Sequence, residues 1–453
     1  MGSVDVKPPN RASQEVLLKL HSNIGLRPGG GGLGYVRARL RDAYRVNRNV
    51  RLALDACLSC GRCLEVCQAY MATGDPFNSP LGRITLAKML LRGLSVRLDD
   101  LYKYFWACIT CRRCAWACPL GIDVADLTRV MRGILYEAGL ASRYVSNIVM
   151  NLESTGNFLG VTPDVLKVLL SRVVEEIKEE KGVEVKVKVD ESAYALMLLS
   201  SCAEFTIALD SLKGYLLFLN EVGLDFTLSS RTLDSVNYGL FLHEGHMRLI
   251  ADRVVDEAER LGVRLVIVGE CGHGWRVFKN YILPRLRERN IEGVHIFHLV
   301  LDALRRGIVK LNPGAIGRLT YVYQDPCHYV RGGDLVDEPR QILRLMGVEF
   351  KDGSADGRAL CCGGLGGLLA DELAELSVRY AEPLYRNVIR LGGECIIMPC
   401  ASCKLQLNRA LPILNSKYNR NISYTGIMEI LYKALEPVRL KSRQTQVGGV
   451  KAL

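Results

Sequence analysis

The chain has 453 residues, 49% hydrophobic and 24% charged, which suits two or three globular domains and argues against wholesale disorder. No apolar run approaches the roughly 18–20 residues that span a bilayer, and the polar start Met1–Asn10 lacks a secretory core, so a cytoplasmic chain that meets the membrane only through partners is expected. Sixteen cysteines then read as metal ligands rather than a secreted disulfide framework. The net charge of +11, with no aromatic–basic motif, excludes nucleic acid and leaves a solvated basic surface or docking to an acidic partner.

Residues 1–50 read as a helical lead-in broken by the glycines Gly29–Gly32. Residues 51–140 contain short amphipathic helices such as Leu81–Leu91 and two cysteine groups. The first is Cys57-Leu-Ser-Cys60-Gly-Arg-Cys63-Leu-Glu-Val-Cys67. The second is Cys108-Ile-Thr-Cys111-Arg-Arg-Cys114-Ala-Trp-Ala-Cys118-Pro119. Both follow C-x2-C-x2-C-x3-C, the spacing of two-cluster bacterial ferredoxins. Three close thiolates reach three irons of one cube from a single loop, while the fourth begins a helix pointing away and serves the other cluster. One [4Fe–4S] cubane is therefore expected on Cys57, Cys60, Cys63 and Cys118, and a second on Cys108, Cys111, Cys114 and Cys67. Zinc would call for separated C-x2-C pairs. Arg62, Arg112 and Arg113 lie among these ligands, either offsetting cluster charge or facing solvent.

Residues 141–190 read as helices ending in a charged linker, Glu175–Lys188, whose Val183–Lys188 alternation is a strand or exposed chain. Beyond it, aliphatic runs alternate with helical patterns, as α/β units do. Candidate strands Ala195–Leu199, Leu265–Val268, Thr320–Tyr323 and Ile396–Met398 run into Cys202, Cys271, Cys327 and Cys400, at the edge where open α/β sheets place function. Cys202 and Cys327 lie 125 positions apart, and Cys271 and Cys400 lie 129 apart. Two pseudo-repeats, 191–315 and 316–453, account for that. The fold class expected is multidomain: an α-helical ferredoxin-like two-cluster domain, then two α/β pseudo-repeats and a disordered basic tail from Lys441.

In the second repeat, Cys327, Cys361-Cys362-Gly363-Gly364 and Cys400-Ala-Ser-Cys403 supply five thiolates. Five exceed the corners of a cube, and adjacent side chains diverge, so an atypical or distorted cluster is expected. This pattern resembles the cysteine-rich CCG domain of heterodisulfide reductases and related iron–sulfur oxidoreductases. Together with the dicluster motifs it resembles the D-type heterodisulfide reductase subunit, and also the iron–sulfur subunits of glycolate oxidase and anaerobic glycerol-3-phosphate dehydrogenase. The resemblance spans roughly residues 50–435. It implies a noncubane [4Fe–4S] cluster on Cys327, Cys361, Cys362, Cys400 and Cys403.

The first repeat departs from the family. Its double cysteine gives way near Val236-Asn-Tyr-Gly239, and its closing motif reads Gly269-Glu-Cys-Gly-His-Gly-Trp-Arg276, so it is expected to hold no five-thiolate cluster. That degeneracy resembles the DsrK branch, the cytoplasmic subunit of the sulfite-reductase-associated membrane complex. The likeness implies a membrane cytochrome b-type subunit, other subunits of a membrane redox complex, and a small DsrC-like sulfur-carrier protein whose disulfide or trisulfide is reduced. Alternatives are an electron-transfer subunit of a glycolate, lactate or glycerol-3-phosphate dehydrogenase complex, and a non-catalytic relay.

Catalytic candidates are Cys271, His273 and Cys202, bordering a space that the lost ligands leave opposite the cluster. Cys202 and Cys271 read equally as packed relics, and His273 as a proton donor or a structural imidazole. Cys395 reads as a buried structural thiol, His243 and His246 as a surface turn, and His328 as support for the Cys327 loop.

Overall fold

The computed structural model describes residues 5–27, 31–354, 359–365 and 369–437. The basic tail from Lys441 lies outside them, as do residues 28–30 of the glycine-rich break. The N-terminal third is helical. Helices Gln14–Asn23, Leu33–Val46 and Arg48–Asp55 form the lead-in, the first capped by Ser13 and the third by Asn47. The segment expected at Leu81–Leu91 is the helix Pro80–Leu91. It starts with proline in its first turn, and the Ser79 hydroxyl accepts from Gly82 N at 3.0 Å. Asp123 caps the long helix Val124–Glu137 by accepting from Ala125 N and Asp126 N.

The first half of the charged linker Glu175–Lys188 belongs to the helix Pro163–Lys181. Of the Val183–Lys188 alternation, only Lys188 joins a strand, β1 (Lys188–Val189). β2 (Ala195–Leu198), β3 (Phe226–Leu228), β4 (Leu265–Val268) and β5 (Glu292–His295) complete a five-stranded sheet in the order β1-β3-β2-β4-β5, every pairing parallel. β2 and β4 are buried along their whole length. Their unbroken apolar runs are what a parallel sheet covered on both faces requires.

β6 (Lys310–Leu311) follows, then β7 (Tyr321–Tyr323), β8 (Phe350–Asp352), β9 (Cys395–Ile397) and β10 (Ser423–Thr425). The last four form a parallel sheet ordered β10-β9-β7-β8. With β2, β3, β4 and β5 matched to β7, β8, β9 and β10, the two sheets have the same strand order. β11 (Leu435–Glu436) returns to pair antiparallel with β6. The units also meet where helix Leu209–Glu221 crosses helix Ile427–Ala434; a Cβ on Gly214 would sit 2.4 Å from Met428 O, so the crossing needs glycine.

Candidate metal centre

The two ferredoxin-type loops have the same backbone shape. Ser59 and Gly61 flank Cys60 with φ of 57° and 79°, and Thr110 and Arg112 flank Cys111 with φ of 48° and 61°. Left-handed backbone costs non-glycine residues about 1–2 kcal/mol each. Arg112 stands where the first loop has Gly61, and its guanidinium pairs with Asp123 at 2.7 Å. Helices Arg62–Val66 and Arg113–Ala117 follow the loops. Cys67 closes the first helix and begins Gln68–Thr73, and Cys118 closes the second helix.

One cavity is lined by Cys57, Cys60, Cys63 and Cys118, and by Cys114 as well. A second is lined by Cys67, Cys108, Cys111 and Cys114. Among the described residues no three His, Cys, Asp or Glu side chains converge on one ion-sized point. The thiols ring cavities instead, as ligands at the corners of a multi-iron body do.

The two sites differ in their surroundings. Cys60 is exposed, and so are Leu58 in the same loop and Trp116 and Leu120 on either side of Cys118. The second site sits against two buried guanidiniums that sequence reasoning missed. Arg83 donates to Tyr104 O and Asn78 Oδ1, and Arg132 donates to Phe105 O and Cys108 O. Burial pulls Arg132 down to about 10, still protonated at neutral pH. Of the arginines singled out in the motifs, Arg62 is exposed, Arg112 half-buried and Arg113 buried with a bond to Val66 O.

Cys202, Cys271, Cys327, Cys361, Cys362, Cys400 and Cys403 are all buried at the carboxyl edges of the two sheets. Cys327 begins a helical turn, and Cys271 and Cys400 each cap one. Cys362 Sγ lies 2.9 Å from Cys403 Sγ, and Cys327 Sγ lies 3.9 Å from Cys361 Sγ. Gly272 N donates to Cys400 Sγ at 3.4 Å and Gly363 N to Cys361 Sγ at 3.4 Å. Hydrogen bonds from Cys361 and Cys403 hold Cys362 down to about 6, and those from Cys271 and Cys403 hold Cys400 well below the usual thiol range. The other three thiols of the set, Cys327, Cys361 and Cys403, are pushed well above that range by contacts with neighbouring thiols and by burial. Gly363 has φ +83°, and a Cβ there would meet Ser377 O at 2.6 Å.

The space expected opposite this site, where the first repeat lacks its double cysteine, is filled by side chains. Phe241 stacks on the His273 ring at 4.8 Å between centroids, and Tyr238 meets it edge-on at 5.8 Å. Burial holds His273 down to about 4, so its imidazole is neutral at physiological pH. Its Nε2 meets the backbone of Asn237, and Nδ1 has no partner. His328 is buried with Nε2 at 3.3 Å from Arg276 Nη1, and Cys395 is buried in β9.

His243 and His246 do not form a surface turn. His246 is fully buried, with Nδ1 2.5 Å from Glu153 Oε1 and Nε2 2.8 Å from Tyr136 OH, while half-buried His243 meets Glu137 at 3.2 Å. The pair sits at the joint between the helical domain and the first α/β unit, where helix Glu244–Arg260 packs against helix Arg143–Thr155. Spacing alone does not report that packing.

Residues 53–122 match the 4Fe-4S dicluster domain family and residues 321–408 the cysteine-rich CCG domain family. The Hdr-like menaquinol oxidoreductase iron-sulfur subunit 2 of Archaeoglobus fulgidus is 29% identical over 87% of this chain and 82% of its own length. The D-type subunit of the dihydromethanophenazine:CoB–CoM heterodisulfide reductase of Methanosarcina barkeri is 23% identical over 85% of this chain and 94% of its own length. The glycolate oxidase iron-sulfur subunit of Escherichia coli is 38% identical, but over only 18% of this chain and 20% of that protein. The order of the two domains, and likeness to the Archaeoglobus and Methanosarcina subunits over most of their length, make the chain similar to the CCG-domain iron–sulfur oxidoreductases that include the D-type heterodisulfide reductase subunits.

Proposed function

We propose that the chain holds two [4Fe–4S] cubanes, on Cys57, Cys60, Cys63 and Cys118 and on Cys108, Cys111, Cys114 and Cys67, and a noncubane [4Fe–4S] cluster on Cys327, Cys361, Cys362, Cys400 and Cys403. Its task is to reduce a disulfide or trisulfide on a small DsrC-like sulfur carrier. A cytochrome b-type subunit of a membrane redox complex supplies the electrons and the membrane attachment, as in the sulfite-reductase-associated branch. The matching strand orders support a duplicated α/β unit in which only the second copy keeps its ligands.

The observation that carries this reading is the buried gathering of those five cysteines, with Cys362 against Cys403, Cys327 against Cys361 and Cys271 beside Cys400, tied to the Cys111 loop by Arg331. When bound, the clusters supply electrons one at a time and an iron able to bond sulfur. The chain's own residues do the rest. Cys400 and Cys362 lie in hydrogen-bonding contact with neighbouring thiols, Gly272 N and Gly363 N donate to sulfur, and Tyr238 and Phe241 pack against His273. Cys271 and Cys202 line the wall beside Cys400, and His273 offers a neutral imidazole for proton exchange at Nδ1.

The relay reading has its own support: the Archaeoglobus relatives are named as menaquinol oxidoreductase subunits, and all five cysteines are buried. The test is to add thiol or disulfide carrier to the oxidised, iron-loaded protein and record its paramagnetic spectrum. A new signal that is lost in Cys362→Ser is expected. Unchanged spectra at saturating carrier would leave the relay.

A further inference from the structure

Gln68 follows Cys67 directly and is 1% exposed. Its carboxamide closes a two-point contact with one residue of the C-terminal site: Nε2 donates to Cys361 O at 2.9 Å, and Oε1 accepts from Cys361 N at 2.7 Å. The second Nε2 proton goes to Tyr380 O at 2.6 Å. All its hydrogen-bonding capacity except one acceptor lone pair is thus spent on the C-terminal unit, 293 and 312 positions away in the chain.

Further ties run between the same regions. Arg331 Nε donates to Cys111 O and its Nη1 to Ala359 O at 3.0 Å, and Tyr380 OH donates to Ala107 O at 3.2 Å. Each of these ends on, or one residue from, a cysteine of the second ferredoxin-type site, and Asn78 Nδ2, away from the cysteines in sequence, donates to Tyr380 OH at 2.8 Å. Gln68 is both bonded covalently to such a cysteine and hydrogen-bonded to a cysteine of the C-terminal set.

We propose that Gln68 is a positioning residue that locks the Cys361–Cys362 loop onto the ferredoxin-type domain and sets the coupling between the two metal sites. The inference rests on the proposed cluster ligation. The step it serves moves one electron, supplied by the cytochrome partner: the site at Cys67, Cys108, Cys111 and Cys114 is oxidised and the C-terminal site is reduced. No bond is made or broken at Gln68, and no proton moves there. Electron tunnelling falls steeply with separation and is faster through packed, hydrogen-bonded atoms than across a gap. A carboxamide that fills the junction therefore fixes both the distance and the path. Loss of the amide leaves Cys361 N–H and C=O buried without partners, so the loop is expected to open and take up water.

The test uses the full-length, iron-loaded chain with Gln68→Leu, which keeps the volume and removes every bond, and Gln68→Glu, which keeps the acceptor for Cys361 N. Hydrogen exchange at the Cys361 amide should accelerate about tenfold in the leucine variant and less in the glutamate variant. Iron content should hold, while magnetic coupling between the partly reduced sites weakens and freeze-quenched transfer between them slows by about tenfold or more. Should Gln68→Leu not retain iron, the glutamate variant carries the same readouts. A loaded variant whose amide exchange and inter-site transfer both stay within about twofold of wild type would overturn the proposal. Transfer already absent in the wild type, with exchange still dependent on Gln68, would instead sink the electron-transfer reading and leave the clamp.

Discussion

Lys404 Nζ and Glu270 Oε2 meet at 2.8 Å, with side chains 2% and 0% exposed, each one residue from a site cysteine and on opposite α/β units. Lys404 also meets Glu429 Oε1 at 2.7 Å and Ser211 Oγ at 2.7 Å, and Glu270 Oε1 accepts from Ile427 N. This network pins the Gly269–Arg276 segment against the helix that begins after Cys400. Removing the cation leaves two buried carboxylates uncompensated. Lys404→Met should cost about 3–5 kcal/mol, read as a lowered denaturant midpoint in the reduced protein. A loss under about 1 kcal/mol would mean that the pair is solvated in solution.

Glu204 gives a pH-dependent prediction. It is buried; Ser200 N and Tyr215 OH donate to its carboxyl, and no cation touches it among the described residues. Burial pushes it up to about 8. A folded value above the unfolded one means that the folded state keeps a proton the unfolded chain releases. Its contribution is therefore complete below pH 4.5 and is lost as pH rises toward 8. Relative to wild type, Glu204→Gln should gain on the order of 3 kcal/mol between about pH 5 and pH 8 in denaturant titrations. A pH-independent difference would contradict this.

Metal content follows from the ligand sets. Anaerobically prepared protein should carry about twelve irons per chain, with matching acid-labile sulfide and little zinc, four for each cluster. About eight irons would leave the ferredoxin-type sites and remove the case for a C-terminal cluster.

Crossed ligation has a separate signature. Cys67 lines the cavity of Cys108, Cys111 and Cys114 although it belongs to the first motif. Cys67→Ser should perturb the spectrum of that site and spare the one on Cys57, Cys60 and Cys63. The opposite pattern in site-resolved paramagnetic spectra would reverse the assignment.

The local part of this protein is legible in its sequence because thiol spacing and strand periodicity are local quantities. The paired C-x2-C-x2-C-x3-C motifs, the expected strands to within about a residue or two, and the cysteines beyond their carboxyl ends all follow from the backbone's short-range geometry. What lies beyond reach is which distant side chains meet. Nothing near Cys67 marks Gln68 as a partner of Cys361, nothing in Lys404 announces Glu270 or Glu429, and Arg83 and Arg132 carry no motif. The first repeat reads as empty space because a lost thiol is visible in a sequence. That Tyr238 and Phe241 fill the volume is not visible. His243 and His246 mislead for the same reason: two residues three apart look alike on an exposed helix and a buried one, and only the packing of helix Glu244–Arg260 against helix Arg143–Thr155 decides. Burial, and with it the ionisation of the groups around these cysteines, is a property of the assembled fold.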